Sequence, residues 1–234
     1  MEIVIFAAGL GSRLGENKPK ILVEIINGKS LLEFQLEAIS QIFPGVPVHI
    51  IGGYRYNLLQ TSIEKLNWKK NPIHLHFNPF YECGIIGTAW VASTVISDTD
   101  IIRIDGDVYF SADTLDSLKN VNNTTFLLSN VENEKTTAVA EIDFEGCLKS
   151  ISIVKNYIGP HEWICIERFL NDDYQKIISN GIFNCPLSSY FYELVNIQTD
   201  KIKIDTKIVN DVYEIDTYQD LTTCRDFLDN CKCK

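Results

Sequence analysis

Apolar residues in the first half of the chain follow two patterns, short continuous runs and segments of helical spacing. Residues 2–8 are almost all apolar and are followed by Gly9, which is typical of a strand buried on both faces of a parallel sheet. Ser30-Leu-Leu-Glu33 has the sequence of a capping box, and apolar residues at helical spacing follow it as far as Pro44. The same patterns then predict strands and helices in alternation, over residues 46–51 (strand), 56–66 (helix), 73–77 (strand), 88–96 (helix) and 100–104 (strand).

The pattern changes after about residue 124, where strands predominate. Four of them are predicted, over residues 126–131, 136–144, 147–154 and 163–167. Glu145-Gly146 is a turn signal, so the strands on either side of it form an antiparallel hairpin. The rest of the chain is predicted as two helices at 172–179 and 187–195, a strand at 207–214, and a helix at 218–228 capped by Thr217.

Neither a repeat nor a low-complexity linker separates the two halves, so residues 1–234 are predicted to form a single domain. The fold class is predicted as α/β, a Rossmann-like doubly wound mixed sheet with an antiparallel β insertion. Its parts are residues 1–124, an insertion of about 125–206, and a returning strand and helix over 207–234.

Composition and charge exclude several classes of protein. With 45% apolar and 22% charged residues, the 234-residue chain is predicted to be globular and not disordered. The net charge of -10 repels nucleic acid and anionic lipid, so no nucleic-acid and no membrane partner is expected. The apolar run from Ile3 to Leu10 is far below the roughly 20 residues that span a bilayer, and secretion and membrane insertion are not expected.

The cysteine pattern indicates the cellular compartment. Seven cysteines are scattered along the chain without a Cys-x-x-Cys pair, which predicts reduced thiols and a cytoplasmic location. The Cys231-Lys-Cys233 tail could bind a soft metal, but it is predicted to be a frayed terminus.

A glycine-rich loop, Gly9-Leu-Gly-Ser-Arg-Leu-Gly15, follows the first strand. Glycines at the end of a strand let backbone N–H groups approach a phosphate. The dinucleotide fingerprint does not fit, because Leu14 replaces its third glycine and Pro19 interrupts the helix that should follow. Arg13 and Lys20 converge on this loop, which in an acidic protein suits a triphosphate. The alternative is a surface loop with ordinary solvated cations.

Ala7 to Leu14 followed by Lys18-Pro-Lys20 resembles the nucleotidyltransferases that join a nucleoside triphosphate (NTP) to a phosphorylated sugar or alcohol and release pyrophosphate. The short chain and its ending at Glu214 to Leu221 are closest to small phosphocholine cytidylyltransferase-like enzymes. The resemblance implies a GT-A-like nucleotidyltransferase fold, with residues 1–124 binding the nucleotide and the insertion binding the acceptor. It implies that the loop and its arginine hold the triphosphate and that the lysine stabilises charge at the α-phosphate. These nucleotide-binding roles fall on Ala7, Ala8, Gly9, Gly11, Ser12, Arg13 and Lys20, the last two of them catalytic.

Two acidic segments at strand ends are candidates for a metal site. Asp105-Gly-Asp107 ends a buried strand, and Tyr213-Glu-Ile-Asp-Thr217 ends the last predicted strand. Carboxylate oxygens favour Mg2+, whereas each segment taken alone is also typical of a turn or a helix cap. The resemblance covers Gly106-Asp-Val108 and the late Glu-x-Asp-Thr, and it implies that Asp107 and Asp216 bind Mg2+. Asp105 is expected to contact the nucleotide or to brace the loop.

The base is expected near the start of a helix. Gly87 and Thr88 open a predicted helix whose N-terminal amides can face a base or ribose, and Gly87-Thr-Ala89 is similar to the family's base-contacting step. A simple helix start is the alternative. The chain departs from the cytidylyltransferase-like members at Gly84-Ile-Ile-Gly87, where they usually carry Asn and Ser, so the identity of the base stays open.

The resemblance also implies an acceptor site under the antiparallel insertion. Lys155 is the candidate for the acceptor phosphate, and Glu162 and Trp163 are candidate substrate-binding residues. An aromatic and acidic pocket suits a cationic head such as choline or an amino group. The alternative is that these aromatic residues belong to the core.

Together these features predict a CTP-dependent cytidylyltransferase that acts in cell-surface polysaccharide decoration, such as capsule biosynthesis. It would transfer CMP to a small phosphorylated acceptor, namely phosphocholine, a phosphonate or a phosphorylated amino acid such as glutamine phosphate, and release pyrophosphate. One alternative is a sugar-1-phosphate nucleotidyltransferase that uses UTP, dTTP or GTP. The other is a non-catalytic nucleotide-binding module. The oligomeric state stays open.

Overall fold

A seven-stranded sheet forms the centre of the computed structural model, which describes residues 1–15, 17–186 and 188–231, without the side chains of Ser12, Asn133, Ile182 and Cys231. The strands are β1 (Glu2–Ala7), β2 (Glu24–Ile26), β3 (Lys29–Ser30), β4 (Val48–Gly52), β5 (Ile73–Phe77), β6 (Ile101–Asp105), β7 (Val108–Phe110), β8 (Thr124–Ile142), β9 (Leu148–Phe169), β10 (Ile204–Ile208) and β11 (Val212–Glu214). The α-helices are α1 (Leu31–Ile42), α2 (Tyr56–Leu66), α3 (Ile85–Val95), α4 (Ala112–Asp116), α5 (Asn171–Asn184), α6 (Phe191–Asn196) and α7 (Tyr218–Cys231). Short 3-10 helices cover Ser12–Leu14, Lys20–Leu22 and Tyr81–Cys83.

The central sheet is mixed and mostly parallel. Its strand order is β10-β8-β9-β6-β1-β4-β5, with β9 antiparallel to both β6 and β8 and all other neighbours parallel. Two small antiparallel ribbons, β7 with β11 and β2 with β3, lie outside it. The predicted α/β class with an antiparallel insertion is therefore confirmed. The three predicted parts of the chain stay a prediction, although β8, β9 and β10 share the sheet with the first half.

Helices cover both faces of the sheet. On one face the core includes Leu36 of α1 and Leu59 of α2, and on the other it includes Ala89 of α3 and Ile178 of α5. β1 is buried along its whole length, as its continuous apolar run predicts. Each fully buried valine, isoleucine or phenylalanine side chain of β1 stabilises the fold by about 1.5–3 kcal/mol. A smaller cluster packs α7 against the β2–β3 ribbon.

Local signals located several elements correctly. Ser30 caps α1 in a capping box, because its side chain accepts from Glu33 N and the Glu33 carboxylate accepts from Ser30 N. The helix over 56–66 and the strand over 73–77 match α2 and β5. The predicted helix that begins at Leu187 starts outside the described residues, and α6 begins at Phe191.

Elsewhere the predicted elements merge or divide. The four strands predicted in the insertion are two long ones, β8 and β9, because shifts in pairing register carry the hairpin across the polar residues 132–135. The strand predicted over 207–214 is divided into β10 and β11, and Asp211 between them has a positive φ of 58°. The extended run predicted over 21–26 begins as a 3-10 helix and becomes β2 at Glu24.

The structure also describes the features on which the membrane and cysteine predictions depend. No described helix has the length and apolar character needed to span a membrane. The cysteines whose side chains are described are free thiols, namely Cys83, Cys147, Cys165, Cys185 and Cys224. The Cys231-Lys-Cys233 tail lies largely outside the described residues.

The strand order reverses between β1 and β6. From β1 the chain passes through α1 on one face to β4, whereas β6 is reached from α3 on the other face. Such a reversal leaves a crevice at the carboxyl ends of the two strands, where open α/β sheets bind ligands. Phe6 and Asp105 are register partners at this edge, so the glycine loop and the Asp105–Asp107 turn meet there.

Candidate functional site

A cleft of about 820 Å3 opens at the carboxyl ends of β1 and β6. The glycine loop and Lys20 form one end, the Asp105–Asp107 turn forms the floor, and residues of β8, β9 and the 188–192 segment form the far wall. Its volume is in the range of small-molecule binding sites.

Gly106 lets the floor close against the glycine loop. Its backbone N–H donates to Phe6 O at 2.8 Å, and a Cβ at this position would lie 2.9 Å from the same oxygen and 3.1 Å from the Cβ of Ala7. A larger residue would therefore push the turn away from the loop. The close approach sets Asp107 beside the loop after β1.

The four predicted charged residues meet at this end of the cleft. Lys20 Nζ donates to Asp107 Oδ2 at 2.9 Å and also to Asp216 Oδ1. Arg13 Nη1 lies 2.6 Å from Asp216 Oδ2. The Arg13 side chain is 69% exposed and that of Lys20 is 15% exposed, so the arginine lies at the rim and the lysine at the base.

Asp216 reaches the cleft because β11 pairs with β7. Glu214 is the register partner of Val108, and Ile215 N donates to Asp107 O at 2.8 Å. This two-stranded ribbon is separate from the main sheet, and it holds Asp216 beside Asp107.

The carboxylates hold Lys20 in its charged form. Burial opposes the charge of the ammonium group, but the attraction of Asp107 and Asp216 outweighs burial and raises the pKa of Lys20 above its ordinary value. Lys20 is thus a fixed positive charge inside the cleft at neutral pH.

Glu214 is a third carboxylate that the sequence analysis did not assign. One carboxylate oxygen each from Asp107, Glu214 and Asp216 lies within 4.8 Å of the others. Glu214 is exposed at the cleft, but the surrounding protein displaces part of the water near its carboxylate and the negative charges of Asp107 and Asp216 repel its own, so its pKa is raised above the ordinary value of a glutamate. The signal was present in the sequence, because Glu214 and Asp216 are two residues apart in an extended segment and therefore share a face. Ile215 between them is buried in the core.

Most of the predicted site residues line the cleft together. They are Ala7, Ala8, Gly9, Gly11, Arg13, Lys20, Thr88, Asp105, Asp107, Trp163 and Asp216. The side chain of Ser12 lies outside the described part of the structure. Gly87, Lys155 and Glu162 are not among the described residues that line the cleft.

Gly87 packs against the protein itself. A Cβ at Gly87 would lie 2.9 Å from the Cβ of Phe80, so a small residue is needed for α3 to approach the preceding segment. Thr88, one residue on, faces the cleft, and its hydroxyl accepts from the buried Asn78 Nδ2 at 3.0 Å. Asn78 also accepts from Phe80 N at 2.8 Å, which fixes the segment before α3.

Glu162 and Lys155, the other two predicted substrate-binding residues, differ in burial. Glu162 is buried behind the wall, where it accepts from Thr137 Oγ1 at 2.6 Å and pairs with Lys135 Nζ at 2.6 Å. Its partner Thr137 lines the cleft, so Glu162 supports this wall from behind. Lys155 is an exposed residue of β9.

A buried arginine lies beneath the cleft. Arg103 Nη1 donates to both oxygens of Glu167 at 2.9 Å, and its Nη2 donates to Asp105 Oδ1 at 2.5 Å. Its guanidinium lies 4.1 Å from the ring centre of Phe191 and 5.7 Å from that of Trp163. Burial raises the pKa values of Asp105 and Glu167, and the guanidinium shared between them opposes the rise.

Trp163 belongs to both the core and the cleft wall. It is 6% exposed, its Nε1 donates to Glu167 Oε1 at 2.7 Å, and its ring stacks on those of Phe126 and Phe191. Beside it, Tyr190 and Tyr192 stack with their ring centres 5.6 Å apart and also line the cleft. Both tyrosines fall within the helix predicted over 187–195, but no site role was predicted for them, because helical periodicity does not show which residues face a cleft.

The structure is similar to several solved structures. The CTP:phosphocholine cytidylyltransferase from Streptococcus pneumoniae matches with a TM-score of 0.78 and 21% identity, over 97% of this chain and 98% of that chain. A Bacillus anthracis protein assigned as a glucose-1-phosphate thymidylyltransferase matches with a TM-score of 0.76 and 15% identity, over 97% and 94%. The inositol-1-phosphate CTP transferase from T. maritima matches with a TM-score of 0.75 and 15% identity, over 96% of each chain. At these identities the likeness shows the fold.

Sequence comparison gives the family. No curated protein matches the chain in sequence. The profile of the MobA-like NTP transferase domain matches residues 3–141, a segment that contains the glycine loop, Lys20 and Asp107. Because that profile covers more than half of the chain, the chain belongs to the MobA-like NTP transferase domain family and is a nucleotidyltransferase.

Proposed function

We propose that the chain transfers CMP from CTP to a small phosphorylated acceptor and releases pyrophosphate. The observation that carries the proposal is the charged end of the cleft, where Arg13, Lys20, Asp107 and Asp216 meet beside the glycine loop. Two cations fixed by two carboxylates form a site that can exchange ion pairs within the protein for ion pairs with phosphates. Phosphocholine, a phosphonate and a phosphorylated amino acid such as glutamine phosphate are the acceptors that we propose.

In the proposed reaction, an oxygen of the acceptor phosphate attacks the α-phosphorus of the nucleotide. The new O–P bond forms on one side as the bond to the bridging oxygen of the β-phosphate breaks on the other, and pyrophosphate leaves with that electron pair. The chain contributes position and charge. Arg13 binds oxygens of the triphosphate at the rim, and Lys20 stabilises the negative charge that builds at the α-phosphate.

The three carboxylates fit a magnesium ion. Their oxygens converge within 4.8 Å of one another, and hard oxygen ligands are those that Mg2+ prefers. Asp107 and Asp216 would hold the ion, with Glu214 as a third ligand. When bound, Mg2+ supplies a positive charge that polarises phosphate oxygens and orients the two substrates.

The nucleotide and the acceptor are proposed to occupy opposite ends of the cleft. The backbone of Ala7 to Gly11 would contact the phosphates, and Thr88 and Asp105 would lie near the nucleoside. The far wall is aromatic, with Trp163 and Tyr192 in it, and Arg13 and Lys20 are the only basic residues among the described ones that line the cleft. A small head group that is neutral or cationic suits such a wall. Lys155, exposed on β9, is proposed to reach the acceptor phosphate from outside.

The base assignment draws on the similar structures. The Streptococcus pneumoniae and T. maritima enzymes are both named as users of CTP. The similarity to the Bacillus anthracis protein supports the second candidate function, transfer of a UTP-, dTTP- or GTP-derived nucleotide to a sugar-1-phosphate.

A pyrophosphate-release assay with Mg2+ separates these candidates. CTP, UTP, dTTP, GTP and ATP are each combined with phosphocholine, aminoalkyl phosphates, phosphonates, acyl phosphates and hexose-1-phosphates. The proposal predicts release with CTP and a small phosphorylated amine or amino acid. Release with a hexose-1-phosphate and another nucleotide would replace this proposal with the second candidate. With whichever acceptor is active, the Lys155→Ala variant tests the role of Lys155, and we expect the KM for the acceptor to rise.

A further inference from the structure

Three histidines lie together on one face of the sheet, away from the cleft. His49 is in β4, and His74 and His76 are in the edge strand β5, where His74 is the register partner of His49. Side chains two residues apart on a strand share a face, so His76 lies on the same side as His74. The ring centres of His74 and His76 are 5.1 and 5.2 Å from that of His49. None of the three lines the cleft.

Two nitrogen atoms of this histidine cluster face each other. His49 Nδ1 and His76 Nε2 are 3.0 Å apart, and the two ring planes are 8° from parallel. A tetrahedral ion with Zn–N bonds of about 2.0 Å separates two ligand nitrogens by about 3.3 Å. A small widening of the pair and a tilt of the rings therefore admit an ion that both nitrogens bind.

Glu2 occupies the other side of His49. Its Oε2 lies 3.5 Å from His49 Nε2 and accepts from Ser97 N at 2.8 Å, which fixes the carboxylate. The His49 side chain is 8% exposed, and Nε2 has no hydrogen-bond partner among the described residues. Metal-bound imidazoles commonly donate their second N–H to a carboxylate, which fixes the tautomer and the ring orientation. Glu2 lies where such a carboxylate is needed, and it leaves Nδ1 as the ligand atom.

We propose that His49 and His76, with His74 as a third imidazole, bind a divalent transition metal such as Zn2+. His74 is exposed on the edge strand, so its ring can turn toward the ion at little packing cost. Water completes the four-coordinate shell. Imidazole nitrogen selects Zn2+, Cu2+ or Ni2+ over Mg2+, so this site differs in chemistry from the three carboxylates of the cleft.

The ion would tie the edge strand to the body of the sheet. β5 is hydrogen bonded to a neighbour on one side only, and a metal shared between β4 and β5 adds a second connection at this edge. A ligand that binds only the folded state stabilises it by mass action. The site is independent of the nucleotidyl transfer proposed above.

Zinc uptake by the purified full-length chain tests the site. Metal-stripped protein in excess Mg2+ is titrated with Zn2+ against a chromophoric chelator, and Co2+ spectra then report nitrogen or thiolate ligands. We expect one Zn2+ per chain, loss of binding in His76→Gln and His49→Gln, and a roughly tenfold or larger loss of affinity in Glu2→Gln. Co2+ should show no thiolate charge-transfer band.

Matched controls separate this site from others. His161→Gln removes the fourth histidine, and Cys231→Ser with Cys233→Ser removes the tail thiols, and both should bind Zn2+ as the wild type does. His76 is half-buried on the edge strand, so the His76→Gln variant provides the test if His49→Gln does not fold. Its Mg2+-dependent turnover should equal that of the wild type. Absence of Zn2+ uptake by the wild type, or unchanged uptake in folded His76→Gln, would overturn the proposal and leave a hydrogen-bonded imidazole pair.

Discussion

Lys20 joins two carboxylates that approach each other from distant parts of the chain. Asp107 lies in the turn after β6 and Asp216 follows β11, and each repels the other when Lys20 is absent. The same ammonium group is proposed to stabilise the α-phosphate. Removing Lys20 would therefore take away a charge from the α-phosphate and would also leave Asp107 and Asp216 to repel each other.

Replacing Lys20 by methionine keeps much of the side-chain length and removes the charge. We expect kcat to fall by about 100- to 1000-fold, since a fixed positive group at the reacting phosphate stabilises the transition state by about 2.7–4 kcal/mol. Pyrophosphate release measures the fall, and thermal unfolding checks the fold. Lys119→Met, on the exposed surface, is the matched control and should retain full turnover. Turnover in Lys20→Met equal to that control would remove the proposed role.

Glu214→Gln tests the third carboxylate. The substitution replaces one of three converging carboxylates with a neutral amide that cannot become charged when Mg2+ binds, so we expect the Mg2+ concentration for half-maximal activity to rise by about tenfold or more. A titration of activity with Mg2+ gives this value. Glu64→Gln, exposed on α2, should leave it unchanged. An unchanged Mg2+ requirement in Glu214→Gln would exclude Glu214 from the ligand set.

Single residues differed in how far the sequence revealed them. Arg13 and Lys20 lie in one short motif beside a glycine loop, and that local context was enough to predict that they meet. Arg103 was not predicted, because a charge within an apolar strand shows its role only when Glu167 and Asp105 are brought to it. Contacts across many residues depend on topology, which local patterns do not contain.

The start of α1 is the clearest case of an element fixed by local chemistry. Ser30→Ala removes the hydroxyl that accepts from Glu33 N, so we expect a loss of about 1 kcal/mol in the free energy of unfolding. Urea denaturation measures it. Ser62→Ala is the matched control within α2, where the serine hydroxyl only bonds back to Leu58 O, and it should be neutral or slightly stabilising. Equal effects of the two substitutions would contradict the cap.

Elements with complete local signals were predicted well, and those shaped by tertiary pairing were not. α2 and β5 have clear periodicity and turn residues at both ends, and their bounds were predicted correctly. β8 and β9 continue through polar residues because each supplies the other with backbone partners despite changes of register. The division between β10 and β11 likewise depends on their partners, β8 and β7.

At the scale of the whole molecule, Arg103 connects the first half of the chain to the insertion. It lies on β6, and its partner Glu167 lies on β9. Arg103→Met leaves Glu167 buried without its cation and Asp105 in the cleft without its ion pair, and we expect a loss of about 3–5 kcal/mol in the free energy of unfolding. Urea denaturation measures the loss. The double variant Arg103→Met/Glu167→Leu should recover part of it, and a double variant less stable than Arg103→Met would contradict this explanation.

The central claim is that the charged end of the cleft carries nucleotidyl transfer. The most direct test uses CTP labelled at the α-phosphate, Mg2+ and the acceptor panel, with the wild type and Asp107→Asn compared side by side. We predict that label moves to the acceptor in equal amount to the pyrophosphate released, and that folded Asp107→Asn loses nearly all of this transfer. Tight binding of nucleotide by the wild type without any transfer, or undiminished transfer by Asp107→Asn, would contradict it.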